Sequence, residues 1–66
     1  MQLTVNGRAS EVPEGTALPA LLESLGLRVG SVVVEHNGTA LLRSELPGVK
    51  LQDGDRLELV RAVAGG

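Results

Sequence analysis

The chain contains no cysteine among its 66 residues. Without a thiol it can form no disulfide bond and no thiolate metal site, and it can offer no cysteine nucleophile or persulfide. Any covalent chemistry on this chain must therefore use another group.

Aromatic residues are absent too, since the sequence has no Phe, Tyr or Trp. Apolar residues still make up 42% of the chain, an ordinary fraction for a globular domain, so the core must consist of Leu, Val and Ala. This length suffices for one domain, and we predict a single unit spanning residues 1–66. A chain this short buries only about 60% of its unfolded surface, so modest stability is expected.

Positive charge is scarce as well, with six Lys and Arg against eight Asp and Glu and a net charge of −2. Nucleic-acid binding usually requires a basic patch, often interleaved with aromatic residues, so that class of function is disfavoured. The sequence has no apolar run of membrane-spanning length and no signal peptide before its first predicted strand. We therefore predict a cytoplasmic protein with neither a membrane nor a nucleic acid as partner.

The N-terminal segment has the pattern of a β-hairpin. Asn6-Gly7 is a preferred pair for a two-residue turn, because both turn positions require positive φ. Such a turn pairs Val5 with Arg8 and places the apolar residues of the hairpin on one side of the sheet. The second strand is weakly apolar and is followed by Pro13, as is typical of an edge strand.

A helix is predicted from Ala17 to Leu25. Four leucines recur at i, i+3, i+4 and i+7 and therefore share one apolar stripe, which we expect to be buried against the sheet. They are Leu18, Leu21, Leu22 and Leu25. Thr16 is the predicted N-cap, and Pro19 falls in the first turn, where the missing N–H costs little. Gly26 suits the left-handed position that ends a helix.

The second half of the chain is predicted to form further strands joined by turns. A β-branched run predicts a strand over residues 31–36, with apolar residues on both faces. The following features are, in order, an Asn37-Gly38 turn, a short strand at Leu41-Leu42, a Pro47-Gly48 turn and an Asp53-Gly54-Asp55 turn. A final alternating strand over residues 56–62 directs Leu57 and Leu59 to one face and Val60 to the other.

The predicted order of elements is β, β, α, β, short β, β, which defines an α+β fold. A single helix can cover only one face of such a sheet. We therefore expect a mixed four- to five-stranded sheet with its first and last strands adjacent and the helix packed across one face.

The sequence ends on two glycines that directly follow the last apolar strand. Because glycine has no Cβ, such a segment can enter a cleft too narrow for side chains. We predict a flexible tail over residues 62–66 that presents the terminal carboxylate of Gly66 to partner enzymes. Val63, Ala64 and Gly65 complete the predicted approach to that carboxylate.

A small apolar group is predicted on the sheet face away from the helix. It consists of Val60, Ala62 and Val33. Single exposed apolar residues are common and need no explanation, but a contiguous group beside the tail is a better candidate for docking. We therefore predict that these three residues bind a partner.

Three segments of the chain match a known pattern. They are the Asn6-Gly7 hairpin, the segment Val34-Glu35-His36-Asn37-Gly38, and residues 51–66 with their "DGD" turn, alternating strand and final "AGG". Together these segments closely resemble the ThiS family, the sulfur carriers of thiazole biosynthesis in the thiamine pathway. The resemblance covers essentially the whole chain and implies the ubiquitin-like β-grasp fold.

The resemblance also implies a carrier rather than an enzyme. The carboxylate of Gly66 would attack the α-phosphate of ATP held by an E1-like adenylyltransferase of the ThiF type. A sulfur donor protein would then displace AMP and leave a thiocarboxylate, whose sulfur a thiazole synthase of the ThiG type would take into the thiazole ring. ATP would be used by the partner, and this chain would bind no cofactor.

Other functions share parts of this pattern and stay open at this point. A sulfur carrier for molybdopterin, cysteine or a similar pathway would have the same diglycine end. A ubiquitin-like protein modifier would share the activation step but would pass Gly66 to an amine. A passive interaction domain would have no use for the tail.

Two further groups of polar residues have ordinary interpretations. His36 is the only histidine. The sequence around it does not have the serine and acidic residues that would suggest a catalytic triad, so we interpret His36 as a surface residue at a strand end. Asp53 and Asp55 flank Gly54, but two carboxylates make a poor calcium site, and Asp-Gly-Asp is common in turns. We therefore predict no metal site.

Overall fold

A computed structural model describes residues 1–61 of the chain. The strands of this described part are β1 (Gln2–Val5), β2 (Arg8–Glu11), β3 (Val32–His36), β4 (Thr39–Ala40) and β5 (Arg56–Arg61). Its helix is α1 (Leu18–Ser24), and two short 3₁₀ helices cover Val29–Ser31 and Arg43–Gly48. The predicted order of strands and helix is confirmed.

The N-terminal hairpin forms with the predicted register. Asn6 and Gly7 have positive φ values of 50° and 81°, as a two-residue turn of this type requires. Val5 consequently pairs with Arg8, and β2 lies at the edge of the sheet, as predicted. Leu3, two residues before Val5, points to the same side and is 1% exposed.

The last strand, β5, lies in the middle of a five-stranded sheet with the order β2-β1-β5-β3-β4. It runs parallel to β1 and antiparallel to β3, whereas the two hairpins pair antiparallel. Asn6 reinforces this centre, because its Oδ1 accepts a 2.7 Å hydrogen bond from the Leu59 amide. The sheet is therefore mixed, with its first and last strands adjacent, as predicted.

Three of the four stripe leucines pack beneath the helix. Leu18, Leu21 and Leu22 are each exposed by 2% or less. The fourth, Leu25, is 47% exposed, so its predicted burial is wrong. The reason is that α1 ends at Ser24 and Leu25 lies at the C-cap, where the backbone has left helical geometry. The buried stripe thus stops one turn earlier than the leucine spacing suggests.

The two ends of α1 are fixed in different ways. Ala17 occupies the N-cap position, so the prediction of Thr16 as the cap is wrong. The Thr16 hydroxyl instead donates to the Pro13 carbonyl at 2.7 Å and closes the preceding turn. At the other end Gly26 has a φ of 75°, and the Leu27 amide donates back to the last helical turn at 2.9 Å, which confirms the predicted C-terminal end.

The segment after β3 differs from the prediction in the position of its short strand. Asn37 and Gly38 form the predicted turn, with φ values of 51° and 87°. Because a two-residue turn brings the very next residue into register, pairing starts at Thr39–Ala40. The prediction of a strand at Leu41-Leu42 is therefore wrong.

Pro47-Gly48 lies within the second 3₁₀ helix rather than in a simple turn, which corrects that prediction. The helix start is capped by Glu45, whose Oε1 accepts a 2.6 Å hydrogen bond from the Leu42 amide. This segment also supplies Leu46 to the core, where it is 1% exposed. The sequence pattern did not indicate that contribution.

The core lies between α1 and one face of the sheet. Its buried apolar residues are Leu3, Leu18, Leu21, Leu22, Val32, Val34, Leu46, Leu51, Leu57 and Leu59. We call the sheet face beneath α1 the covered face and the opposite one the open face. A single helix thus packs on one face of a mixed sheet, which is the predicted β-grasp arrangement. Along residues 1–61, no helix has the length and apolar character needed to cross a membrane.

Candidate functional site

The predicted tail lies outside the part of the chain that the structure describes. The residues concerned are Ala62, Val63, Ala64, Gly65 and Gly66. The described chain ends on β5 at Arg61, beside β3. The roles assigned to the tail residues, and the flexibility of the tail, stay predictions.

Val33 and Val60, two of the three residues predicted to bind a partner, lie side by side on the open face. They are directly paired across β3 and β5, and their exposed fractions are 50% and 61%. Val34, the next residue along β3, is only 1% exposed, because successive side chains of a strand point to opposite faces. The two valines thus form an exposed apolar pair, while their role in binding a partner stays a prediction.

Two glutamates continue the open face beside these valines. Glu35 and Glu58 are exposed and directly paired in the same register of β3 and β5. Side chains in such positions have Cβ atoms about 4.5–5.5 Å apart. An acidic pair therefore borders the apolar pair on the strand that leads to the tail. This acidic pair was not predicted from the sequence, because it depends on the register between β3 and β5, and the sequence of either strand alone does not determine that register.

A buried carboxylate connects the end of β3 to the start of β5. Asp55 is 8% exposed, and its Oδ2 accepts hydrogen bonds from His36 Nε2 at 2.8 Å and from the Gln52 amide at 2.9 Å. Its Oδ1 accepts a further bond from Asn37 Nδ2 at 3.1 Å. His36 lies at a strand end, as predicted, but it is partly buried and bound to Asp55, which corrects its interpretation as a surface residue.

These contacts and the burial of Asp55 together shift the pKa of its carboxyl group. Burial alone raises the pKa of this carboxyl, but the hydrogen bonds from His36, Gln52 and Asn37 favour the ionised form. The net result is a pKa of Asp55 below its ordinary value. Asn37 also contacts β5, since its Oδ1 accepts a 2.8 Å hydrogen bond from the Arg56 amide. The cluster therefore helps to fix the register in which the open-face residues are paired.

The Asp53-Gly54-Asp55 segment forms the predicted turn. Gly54 has a φ of 88°, and its amide donates to the Gln2 carbonyl at 2.7 Å. The Asp53 carboxylate accepts a 2.6 Å hydrogen bond from the Gln2 amide, so it points to β1. In the described range, no group of three His, Asp or Glu side chains could hold a metal ion.

An open groove of about 580 Å³ lies between residues 14–17 and residues 47–51. The backbones of Ala17 and Lys50 form a bridge between these two segments. Neither segment belongs to β3 or β5, so the groove is separate from the exposed valines. The sequence pattern gave no indication of it.

Comparison with known proteins points to one family. A sequence profile of the ThiS family matches residues 2–66 of the chain. The sulfur carrier protein ThiS of Thermus thermophilus is 40% identical over 53 residues, which cover 80% of this chain and 83% of that relative. Thiazole synthases of Magnetococcus marinus and Paramagnetospirillum magneticum are each 35% identical over 66 residues. That match covers 100% of this chain and 20% of each synthase, so the chain spans about a fifth of their length.

Solved structures give the same fold. The crystal structure of a thiamine biosynthesis protein (ThiS) from Geobacter metallireducens matches with a TM-score of 0.83 and 36% identity, over 100% of both chains. The solution structure of a thiamine biosynthesis protein from the same organism gives a TM-score of 0.81 at 36% identity, over 100% of this chain and 88% of that one. The predicted ubiquitin-like β-grasp fold is confirmed.

Proposed function

The chain belongs to the ThiS family, and from this membership we propose that it is a sulfur carrier of thiamine biosynthesis. The observation that carries the proposal is the extent of the family match, which continues to residue 66 and so includes Gly65-Gly66. Similarity to a sulfur carrier protein ThiS over most of both chains supports it. These observations favour the thiazole pathway over the molybdopterin and cysteine pathways.

The proposed working group is the carboxylate of Gly66. One of its oxygens attacks the α-phosphorus of ATP, pyrophosphate leaves, and an acyl-adenylate forms at the carbonyl carbon. Sulfide from a donor then attacks that carbon, the carbon–oxygen bond to AMP breaks, and a thiocarboxylate results. Adenylation is needed because a carboxylate oxygen is a poor leaving group, whereas AMP is a good one. The thiocarboxylate is the form in which sulfur passes to the thiazole ring.

In this proposal the chain is a co-substrate and not an enzyme. An E1-like adenylyltransferase binds the ATP, and a thiazole synthase accepts the sulfur, in the cytoplasm. Similarity to two proteins named thiazole synthase supports the second partner. A five-residue segment spans at most about 16–18 Å when fully extended. Such a reach allows the carboxylate to enter a cleft while the folded body stays outside, and positioning of the reacting carbon then contributes to rate.

Intact mass spectrometry tests the proposal directly. The protein is incubated with ATP, its adenylating enzyme and sulfide, and is then weighed whole and after digestion. The expected result is a mass gain equal to the replacement of one oxygen by sulfur, located in the peptide that contains Gly66. The same reaction without ATP should give no gain.

A variant that lacks Gly66 is the matched control. It keeps every described residue, so we expect the same unfolding curve and no sulfur incorporation. The mass of the protein isolated from its own cells, measured first, establishes whether Gly66 is its last residue. A mature chain that continues past Gly66, or an unchanged mass with the cognate enzyme, would contradict the proposal.

A further inference from the structure

At one end of the sheet an arginine side chain lies directly on a glycine. Arg43 begins the second 3₁₀ helix, and Gly30 belongs to the first. A Cβ atom at Gly30 would lie 2.7 Å from Nη2 of Arg43 and 3.0 Å from its Cζ, so the guanidinium occupies the space that a larger residue would need. Gly30 is not in the left-handed region, and its backbone therefore does not require glycine. The glycine instead provides room for the guanidinium of Arg43.

This guanidinium has no anionic partner in the described part of the chain. The ion pairs found among residues 1–61 do not include Arg43. The nearest carboxylate in sequence belongs to Glu45, and it accepts a hydrogen bond from the Leu42 amide at 2.6 Å instead. A guanidinium presents several N–H donors in a planar fork that matches the geometry of a carboxylate. Arg43 is therefore a carboxylate-binding group whose ligand lies outside residues 1–61.

Arg43 lies at the end of the sheet where the described chain stops. β3 and β5 run antiparallel and pair Val32 with Arg61, and Gly30 comes two residues before Val32. Standard backbone distances place the Cα atom of Gly30 within about 13 Å of that of Arg61. The five residues of the tail span up to about 16–18 Å. The carboxylate at the end of the tail can therefore reach the guanidinium that lies on Gly30.

The residue before Arg43 adds an apolar contact surface. Leu42 is 68% exposed, more than any other large apolar side chain in the described part. The tail has the matching composition, because residues 62–64 are Ala, Val and Ala and precede the two glycines and the carboxylate. An exposed leucine beside an arginine can thus remove apolar tail surface from water and bind the anionic end at the same time.

We propose that Leu42 and Arg43, with the guanidinium lying on Gly30, form a resting site for the tail of the same chain, in which Arg43 binds the carboxylate of Gly66. This inference rests on the proposed function, which makes that carboxylate the end of the chain. In the free carrier the tail then occupies the site for part of the time, and a partner enzyme competes with the site for the tail. Exposed ion pairs are weak and are screened by salt, so the contact is reversible and decreases as salt increases.

The experiment compares three single substitutions, Arg43→Gln, Gly30→Ala and Arg8→Gln. Arg43→Gln removes the charge, whereas Gly30→Ala keeps the charge and displaces the guanidinium, because the new Cβ takes its place. Arg8→Gln is the matched control, since it makes the same chemical change on the edge strand β2. All three residues are exposed, so the variants should unfold like the unmodified chain.

The rate at which a carboxypeptidase removes Gly66 is followed by intact mass at low and high salt. At low salt Arg43→Gln and Gly30→Ala should lose Gly66 roughly twofold to fivefold faster than the unmodified chain, and Arg8→Gln should match it. High salt should abolish the difference. In NMR spectra of the unmodified chain, deletion of Gly65-Gly66 should shift the Gly30 amide resonance, and the same deletion in Arg43→Gln should not. Equal cleavage rates in all four chains, or protection that increases with protein concentration and so involves a second copy, would overturn the proposal.

Thiocarboxylation of the same samples separates the two proposals. Arg43→Gln should gain sulfur at least as fast as the unmodified chain, and at most about fivefold faster at low carrier concentration, because its tail is no longer held. If the unmodified chain gains sulfur and all chains lose Gly66 at one rate, the resting site fails and the carrier function stands. If no chain gains sulfur but Arg43→Gln still exposes Gly66, the carrier function fails and the resting site stands.

Discussion

Val33 and Val34 are the same amino acid in consecutive positions of one strand, yet their surroundings differ completely. Val34 is 1% exposed on the covered face, and Val33 is 50% exposed on the open face. Hydrophobicity alone therefore does not show whether a residue of this small sheet belongs to the core. The covered position contributes to folding, whereas the open position leaves apolar surface in contact with water and available to a partner.

The same division continues on the neighbouring strand, β5. Leu57 and Leu59 are buried, at 1% and 8% exposure, while Glu58 is exposed and Val60 is 61% exposed. The two strands thus have one face for stability and one for the proposed interaction. Substitutions that change one face and spare the other test this division.

The largest expected effect is on the covered face. Leu57→Ala should lower the free energy of unfolding by about 2–5 kcal/mol, because it removes fully buried methyl groups and leaves a cavity. Val60→Ala on the same strand should change it by about 0.5 kcal/mol or less, since most of that side chain is already in water. Urea unfolding of both variants measures the difference, and equal losses would contradict the division.

A smaller effect is expected at Asp55, which fixes the strands that carry both faces. Asp55→Asn should destabilise the protein at neutral pH by about 1–3 kcal/mol, because the charged acceptor of three hydrogen bonds is lost. The pKa of this carboxyl is lower in the folded than in the unfolded state. Its contribution is therefore present above about pH 4 and is lost as the pH falls through the lower, folded value.

The unfolding free energies of the wild type and Asp55→Asn should accordingly converge in acid. Chemical denaturation from neutral pH down to about pH 2 follows the difference between them. A difference that stays constant over this range would show that the charge of Asp55 does not stabilise the fold.

Local sequence patterns were sufficient to predict much of this fold. Asn6-Gly7 determines the register of the first hairpin, because a two-residue turn leaves only one pairing. Leucine spacing and Gly26 locate the helix to within a residue at each end. Strand alternation also places Val33 and Val60 on the side opposite the core.

The wrong predictions concern residues that could occupy more than one local position. Thr16 and Leu25 both fit their predicted positions by spacing, but the hydroxyl of Thr16 bonds to the preceding turn, and the backbone at Leu25 leaves the helix. The short strand begins immediately after its turn, which shifts it away from the more apolar Leu41-Leu42. Neither the composition nor the periodicity of the sequence indicates which of these local arrangements forms.

The features missed altogether depend on contacts between distant residues. Asp55 meets His36 and Asn37 across 19 and 18 positions of sequence. Glu35 and Glu58 oppose each other only because β3 and β5 pair in one register. Long-range pairing of this type follows from the folded sheet and not from any single segment.

We infer that the open face acts on a partner and contributes little to the stability of the fold. The most direct measurement is the rate of thiocarboxylate formation for a Val33→Ser, Val60→Ser double variant, made together with its unfolding curve. We predict near-wild-type stability and a clearly slower rate, since both valines are half or more exposed and lie on β3 and β5, and β5 directly precedes the predicted tail in the sequence. A wild-type rate in the folded double variant would show that the open face has no such role.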